Sequence, residues 1–138
     1  MDIRIYDSLP REAMEIRKRV FVDEQGFTDV PDETDAAAVH ILLWDGDDAV
    51  ATARILPYGD GNMLVGRIAV LPTRRGGGLG RIVVGAAERA AREMGASRIV
   101  IHAQKHACGF YLALGYSSFG EEDSVEGKAH VWMEKILE

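Results

Sequence analysis

Cysteine is nearly absent: Cys108 stands alone in 138 residues. A lone cysteine excludes an internal disulfide and, with the histidines unclustered, a structural zinc site. No run of roughly eighteen apolar residues occurs, so no membrane-spanning helix is expected. The opening MDIRIYDSLP has neither a basic n-region nor an apolar h-region, so no secretory signal is visible and a cytoplasmic protein is expected. Positive charge is also in deficit. The formal net charge of −6 weighs against nucleic acid as the main partner, because neutralising phosphates needs a basic face. Two familiar nucleotide signatures are missing as well. No Gly-Lys-Ser/Thr closes a P-loop, and a G-x-G-x-x-G count from Gly76 or Gly78 reaches Arg81 or Val83 at its sixth place.

What is present is an ordinary globular composition, 47% hydrophobic, without repeat, low-complexity tract or linker, and one domain over 1–138 is expected. Its charge is uneven. Residues 23–35, DEQGFTDVPDETD, are acidic without Lys or Arg, whereas 67–81 carries Arg67, Arg74, Arg75 and Arg81 and no acid. Either these are two solvated loops, or one side takes a cationic ligand and the other an anionic one.

Periodicity organises the chain. IRIY alternates as a short strand, and Ser8 is expected to cap a helix with Pro10 in its first turn and Ala13, Ile16 and Val20 on one face. Gly26 and Pro31 break that pattern, leaving the acidic segment as a loop or short irregular helix. AVHILLW and AVATARIL flank an Asp-Gly turn and predict an antiparallel hairpin. MLVGRIAVL is a further strand. Leu79, Ile82, Val83, Ala86 and Ala90 then share a helical face that Gly95 stops, and RIVIHA follows as a strand. Strand 64–71, helix and strand 98–103 form a βαβ unit with parallel strands. A short helix near 107–114, stopped by Gly115, and a last strand pair from YSSFG and HVWMEKI complete a mixed α/β domain.

The corner between strand and helix is the chemically specific stretch. Glycines there let the backbone approach a ligand closely, and the first N–H groups of the helix have no internal partner. The helix dipole adds partial positive charge, so an anion, most often a phosphate, fits, and Arg74, Arg75 and Arg81 would strengthen its binding. Arg75-Gly76-Gly77-Gly78-Leu79-Gly80 matches the pattern [QR]-x-x-G-x-[GA].

With VGRIAVLPTRRGGGLG before the helix and IHAQKHACGFYLALGY after it, the chain resembles the GNAT-type N-acetyltransferases. In the second stretch Ala107, Phe110, Tyr111, Gly115 and Tyr116 match the family's Ala-x-x-[LF]-Tyr-x-x-x-Gly-[FY]. RVFVDEQGF, HAQ and HVWMEK are similar to the ElaA/YjcF-like branch. The resemblance implies a mixed, mostly antiparallel twisted sheet with a central splayed parallel strand pair and flanking helices.

It further implies acetyl-CoA as acyl donor and a small-molecule or peptide amine as acceptor, in a monomer or homodimer; with the charge, the hydropathy and the lone cysteine, no nucleic-acid or membrane partner and no metal is expected. Ile68 N–H would face the thioester carbonyl, Ala69 and Val70 would continue the pantetheine strand, and the backbone from Gly76 to Gly80 would take the pyrophosphate beside Arg75 and Arg81. Gln104 would contact the coenzyme where many relatives carry Asn. Tyr111 would protonate the departing thiolate or hydrogen-bond to it. Lone Cys108 lacks an evident base partner, so direct attack by the amine in a ternary complex is expected.

The proton acceptor is less defined. An alkyl amine with a pKa of about 10.4 leaves only roughly a few molecules in ten thousand neutral at pH 7, yet NMLVGRIAV has no carboxylate. Glu24 is the first candidate, with Asp35, His40 and His130 as others. Arg54 and Arg67, cationic inside apolar strands, need partners among Glu24, Glu33 or Asp35. The acidic loop hints at a cationic acceptor. Without a base the chain would be a catalytically silent coenzyme A-binding sensor or assembly domain.

Overall fold

The computed structural model describes residues 1–29 and 31–138; Val30, within the acidic segment, lies outside the described residues. Seven strands form one mixed sheet in the order β1-β2-β3-β4-β5-β7-β6. β1 (Asp2–Tyr6), β2 (Val39–Asp45), β3 (Asp48–Pro57) and β4 (Asn62–Val70) pair antiparallel in sequence order. β5 (Arg98–Gln104) joins β4 in parallel, and β7 (Lys128–Ile136) lies between β5 and β6 (Ser117–Val125), antiparallel to both. The expected sheet, with one parallel pair at its centre, is present.

Alternation along the strands builds a core on each face. Ile41 and Leu43 point into the larger core, where α3 (Leu79–Glu93) packs its Val83, Val84, Ala87 and Ala91. Leu42, between them, faces the opposite side, under Ala13, Ile16 and Val20. Ala13 and Ile16 belong to α1 (Arg11–Arg17). Covering both faces lets the central strands be apolar throughout.

Two details near the N-terminus differ from expectation. Pro10, not Ser8, is the N-cap of α1, and no side chain caps it; the fixed φ of the proline ring starts the helix directly. Beyond Arg17 the helix widens into π-helical turns over Lys18–Glu24, where Gln25 N–H reaches the Val20 carbonyl five residues back at 3.1 Å. Such turns rotate the following side chains and concentrate at functional sites. The acidic segment then forms α2 (Glu33–Ala36), closed by a capping box between Asp32 and Asp35.

Candidate active site

The parallel joint between β4 and β5 is short. Register pairs run only from Asn62–Arg98 to Leu64–Val100, although β4 continues to Val70 and β5 to Gln104. The strands therefore splay, and the β5-facing edge of β4 beyond Leu64 has no strand partner. A cleft of about 810 Å³ opens between them. β3 and β4 also lose register beside the cleft: Thr52 pairs with Ala69 and Arg54 with Gly66, so Arg67 and Ile68 together oppose Ala53. Arg67 adopts φ +49° in this bulge, a left-handed conformation uncommon for a non-glycine residue.

At the end of β4 the chain turns through Pro72–Arg74 into the glycine corner. Gly76 and Gly78 have φ of +86° and +80°, values that glycine adopts without steric cost. Gly78 is the N-cap of α3 and offers no side chain to its N–H groups; the first helical bond runs from Ile82 N–H to the Gly78 carbonyl. The amides of Leu79, Gly80 and Arg81 consequently face an anion-binding environment. Gly80 is set by packing: a Cβ there would lie 3.1 Å from Phe110 Cζ.

Ile68, Ala69, Val70, Arg75, Gly76, Gly78, Leu79, Gly80, Arg81, Gln104, Tyr111 and His130 all line the cleft. Gly77 and Glu24 are not part of this lining. Ala69 is buried under α1, so it presents backbone to the cleft. Arg74 turns away instead, bonding Asp45 at 2.6 Å at the β2–β3 hairpin, with Asp48 at 3.7 Å. Cys108, at the start of α4 (Cys108–Ala113), is half-buried with its Sγ 3.9 Å from the Gln104 carbonyl.

Glu24 and Arg75 meet each other. The guanidinium donates to both carboxylate oxygens at 2.6 Å, and Arg75 Nε donates to the Val70 carbonyl at 3.2 Å. The bond from Arg75 holds the Glu24 carboxyl below its ordinary pKa. Gln104 crosses the cleft, donating to Gln25 Oε1 at 2.8 Å, while its own oxygen accepts from His106 at 2.9 Å.

On β7, His130 is buried with Nδ1 2.8 Å from the Lys128 carbonyl. A carbonyl only accepts, so Nδ1 carries the proton and Nε2 of the neutral ring has a free lone pair. Phe27 packs edge-on at 6.0 Å and His102 lies at 4.8 Å. His102 itself stacks on Trp132 at 4.1 Å and bonds Asp123 at 2.6 Å. Tyr111 is buried in α4, and that burial raises its phenol pKa well above the ordinary value.

Behind the cleft lies a buried ionic network. Arg17 bonds Asp29 at 2.8 and 2.7 Å and Asp35 at 2.8 and 3.2 Å. Arg54 donates to Asp35 at 3.2 Å and Arg67 Nε to Asp29 at 3.3 Å. Burial opposes the Arg17 charge, but the bonds to Asp29 and Asp35 outweigh it and raise its pKa. Burial likewise opposes ionisation of Asp35, and Arg17 and Arg54 overcome it, bringing its pKa down to about 2. Of the expected partners for the strand arginines, Asp35 takes Arg54 and Glu24 is committed to Arg75, whereas Arg67 pairs with Asp29, which was not among them. The hint of a cationic acceptor weakens, because Asp29 and Asp35 are occupied by guanidiniums. His40 is buried and donates from Nε2 to the Asp35 carbonyl at 2.9 Å, which gives it a structural place. Arg17 escaped the sequence reading, although it lies four residues after Ala13, on the apolar side of α1.

The sequence and the fold both have counterparts among known proteins. The acetyltransferase (GNAT) family model matches residues 4–116. YjcF, an uncharacterized N-acetyltransferase of Bacillus subtilis, is 35% identical across 91% of this chain and 91% of its own. The crystal structure of Escherichia coli ElaA superposes with a TM-score of 0.85 at 25% identity, covering 97% of this chain and 98% of that one. A Bacillus subtilis acetyltransferase in complex with CoA has the same fold, with a TM-score of 0.77 at 18% identity over 98% and 97% of the two chains. The chain belongs to the acetyltransferase (GNAT) family, in the company of its ElaA and YjcF members.

Proposed function

We propose that this protein is an N-acetyltransferase that uses acetyl-CoA and acetylates a primary amine by direct attack in a ternary complex. The observation that carries this reading is the unpaired edge of β4 running straight into the glycine corner and the uncapped N-terminus of α3. Acetyl-CoA suits that surface: the amides of Gly76–Gly80 with Arg75 and Arg81 would hold its pyrophosphate, and Val70 its pantetheine arm. When bound, it supplies an acetyl group activated as a thioester.

Ile68 N–H, beside the bulge, is the donor for charge that develops on the carbonyl oxygen. His130 Nε2 takes the amine's proton, directly or through water, since its Nδ1 is already committed to the Lys128 carbonyl. Glu24, tied to Arg75 and outside the cleft lining, is the weaker acceptor, and its role in this reading is to occupy Arg75 before the coenzyme does. Burial keeps the Tyr111 phenol protonated. Full transfer to a thiolate of pKa about 8.5 would run uphill, so Tyr111 donates a hydrogen bond to the departing sulfur. Gln104, bridged to Gln25, closes the coenzyme side of the cleft.

Acetyl-CoA binding by calorimetry, with free thiol followed over a panel of amines, tests the reading. Binding with amine-dependent thiol release is expected. Binding without turnover on any amine would favour the silent coenzyme A-binding domain, and failure to bind would remove both.

A further inference from the structure

The ionic network beside the cleft does not balance. Three guanidiniums, from Arg17, Arg54 and Arg67, share two carboxylates, Asp29 and Asp35. Arg17 is fully buried and donates to both acids, so the surplus positive charge falls on Arg54 and Arg67, which both line the cleft. Arg54 is only 8% exposed, makes a single ionic bond, and has a buried Nε with no partner among the described residues. Burial and the neighbouring Arg67 charge both push its pKa down, which marks a cation short of anionic company. Arg67 spends only Nε on Asp29; its terminal nitrogens make no ion pair among the described residues, and its side chain is 39% exposed.

The backbone points the same way. Arg67 holds φ +49° in the bulge of β4, and strain of this kind persists where the surroundings over-determine it, often at ligand sites. Arg67 lies on the far side of Ile68 from the glycine corner, so it is separate from the residues assigned to the pyrophosphate. Glu126, the other carboxylate on this wall, is exposed and accepts from Thr28 N–H at 3.0 and 3.3 Å. Within the buried network one positive charge is in excess, and the free guanidinium fork of Arg67 matches a singly charged planar anion.

We propose that this end of the cleft is a carboxylate subsite, so that the acceptor is an amine that also bears a carboxylate, gripped by the terminal N–H groups of Arg67 with the Arg54 charge behind. The assignment rests on the acetyltransferase reading for its amine half, but the anion site is measurable without turnover. The probes are glycine, β-alanine, γ-aminobutyrate and ε-aminocaproate, each against its carboxylate-free counterpart methylamine, ethylamine, propylamine or pentylamine. O-phosphoethanolamine is the dianionic control.

Binding is measured by calorimetry on the free protein and on the protein saturated with coenzyme A, and acetylation by thiol release. At least one amino acid should bind, and be acetylated, about tenfold or more better than its counterpart, the effect of one charge-assisted pair. Arg67→Gln should reduce that preference to less than about twofold, with Arg67→Lys retaining part of it, and acetyl-CoA affinity should not change. Equal binding of every amino acid and its counterpart in the native protein would overturn the subsite, as would a preference that survives Arg67→Gln. Preference for O-phosphoethanolamine over all four carboxylates would overturn the carboxylate assignment. Failure of acetyl-CoA to bind, with the carboxylate preference intact, would remove the acetyltransferase reading and leave the anion site standing.

Discussion

Replacing Glu24 by Gln should tighten coenzyme binding and leave turnover nearly unchanged. Arg75 donates two bonds of 2.6 Å to Glu24. A pyrophosphate that recruits Arg75 must displace that carboxylate. The two side chains are 41% and 38% exposed, and pairs of this kind contribute about 0.2–1 kcal/mol because water screens them. The bidentate geometry places this one towards the upper end. Removing a competitor of about 1 kcal/mol improves the dissociation constant about fivefold, and loss of one negative charge near the pyrophosphate acts in the same direction. Calorimetric titration of acetyl-CoA measures this, and the gain should shrink at high salt. In an Arg75→Gln background the same Glu24→Gln change should alter affinity by less than about twofold, since the pair no longer exists. Unchanged or weakened affinity in the single variant would refute the displacement. A fall in kcat of about a hundredfold would instead make Glu24 the proton acceptor.

His130→Gln, which keeps a polar side chain of similar reach but has no basic nitrogen, should lower kcat about a hundredfold with acetyl-CoA affinity retained; steady-state kinetics with calorimetry would expose an unaffected kcat. Tyr111→Phe should lower kcat by more than it raises the acetyl-CoA dissociation constant, and wild-type turnover would remove the phenol from the sulfur's surroundings. Asp35→Asn leaves Arg17 and Arg54 short of an anion and should cost about 3–5 kcal/mol of stability, read as a lower thermal midpoint by circular dichroism. The pH dependence has a definite sign. Asp35 falls from 3.8 to about 2 on folding, so its contribution is complete above the unfolded value and is lost as pH drops through that window; the variant should show a shallower acid transition there.

Local requirements were legible in the sequence, and assembled ones were not. The glycine corner could be read because positive φ at Gly76 and Gly78 and an uncapped helix start are properties of a few consecutive residues. The 79–93 helix and the strands followed from apolar spacing, which each core face rewards independently. The Glu24–Arg75 pair joins residues 51 positions apart, and no periodicity announces such a meeting. Arg17 was hidden for a different reason: a charge on an amphipathic helix reads as solvated, and only the fold brings Asp29 and Asp35 close enough to offset its burial. The π-helical turns after Arg17 left no sign either, because one wider turn hardly disturbs a short apolar pattern. Which ring nitrogen of His130 is left free was likewise unreadable, because it follows only from β7 and the Lys128 carbonyl.

The short joint between β4 and β5 has a consequence for solvent access. Three register pairs connect an antiparallel half, β1–β4, to another, β5–β7. Amide protons in the middle of a seven-stranded sheet ordinarily exchange with water slowly, at rates set by global unfolding. Those on the open edge of β4 beyond Leu64 sit at the sheet's centre and yet face the cleft, so they should exchange like amides of an outer strand. Coenzyme bound along that edge would slow them, whereas amides between β2 and β3 would keep their rates. Hydrogen exchange thus turns this gap in the ladder into a direct reporter of occupancy.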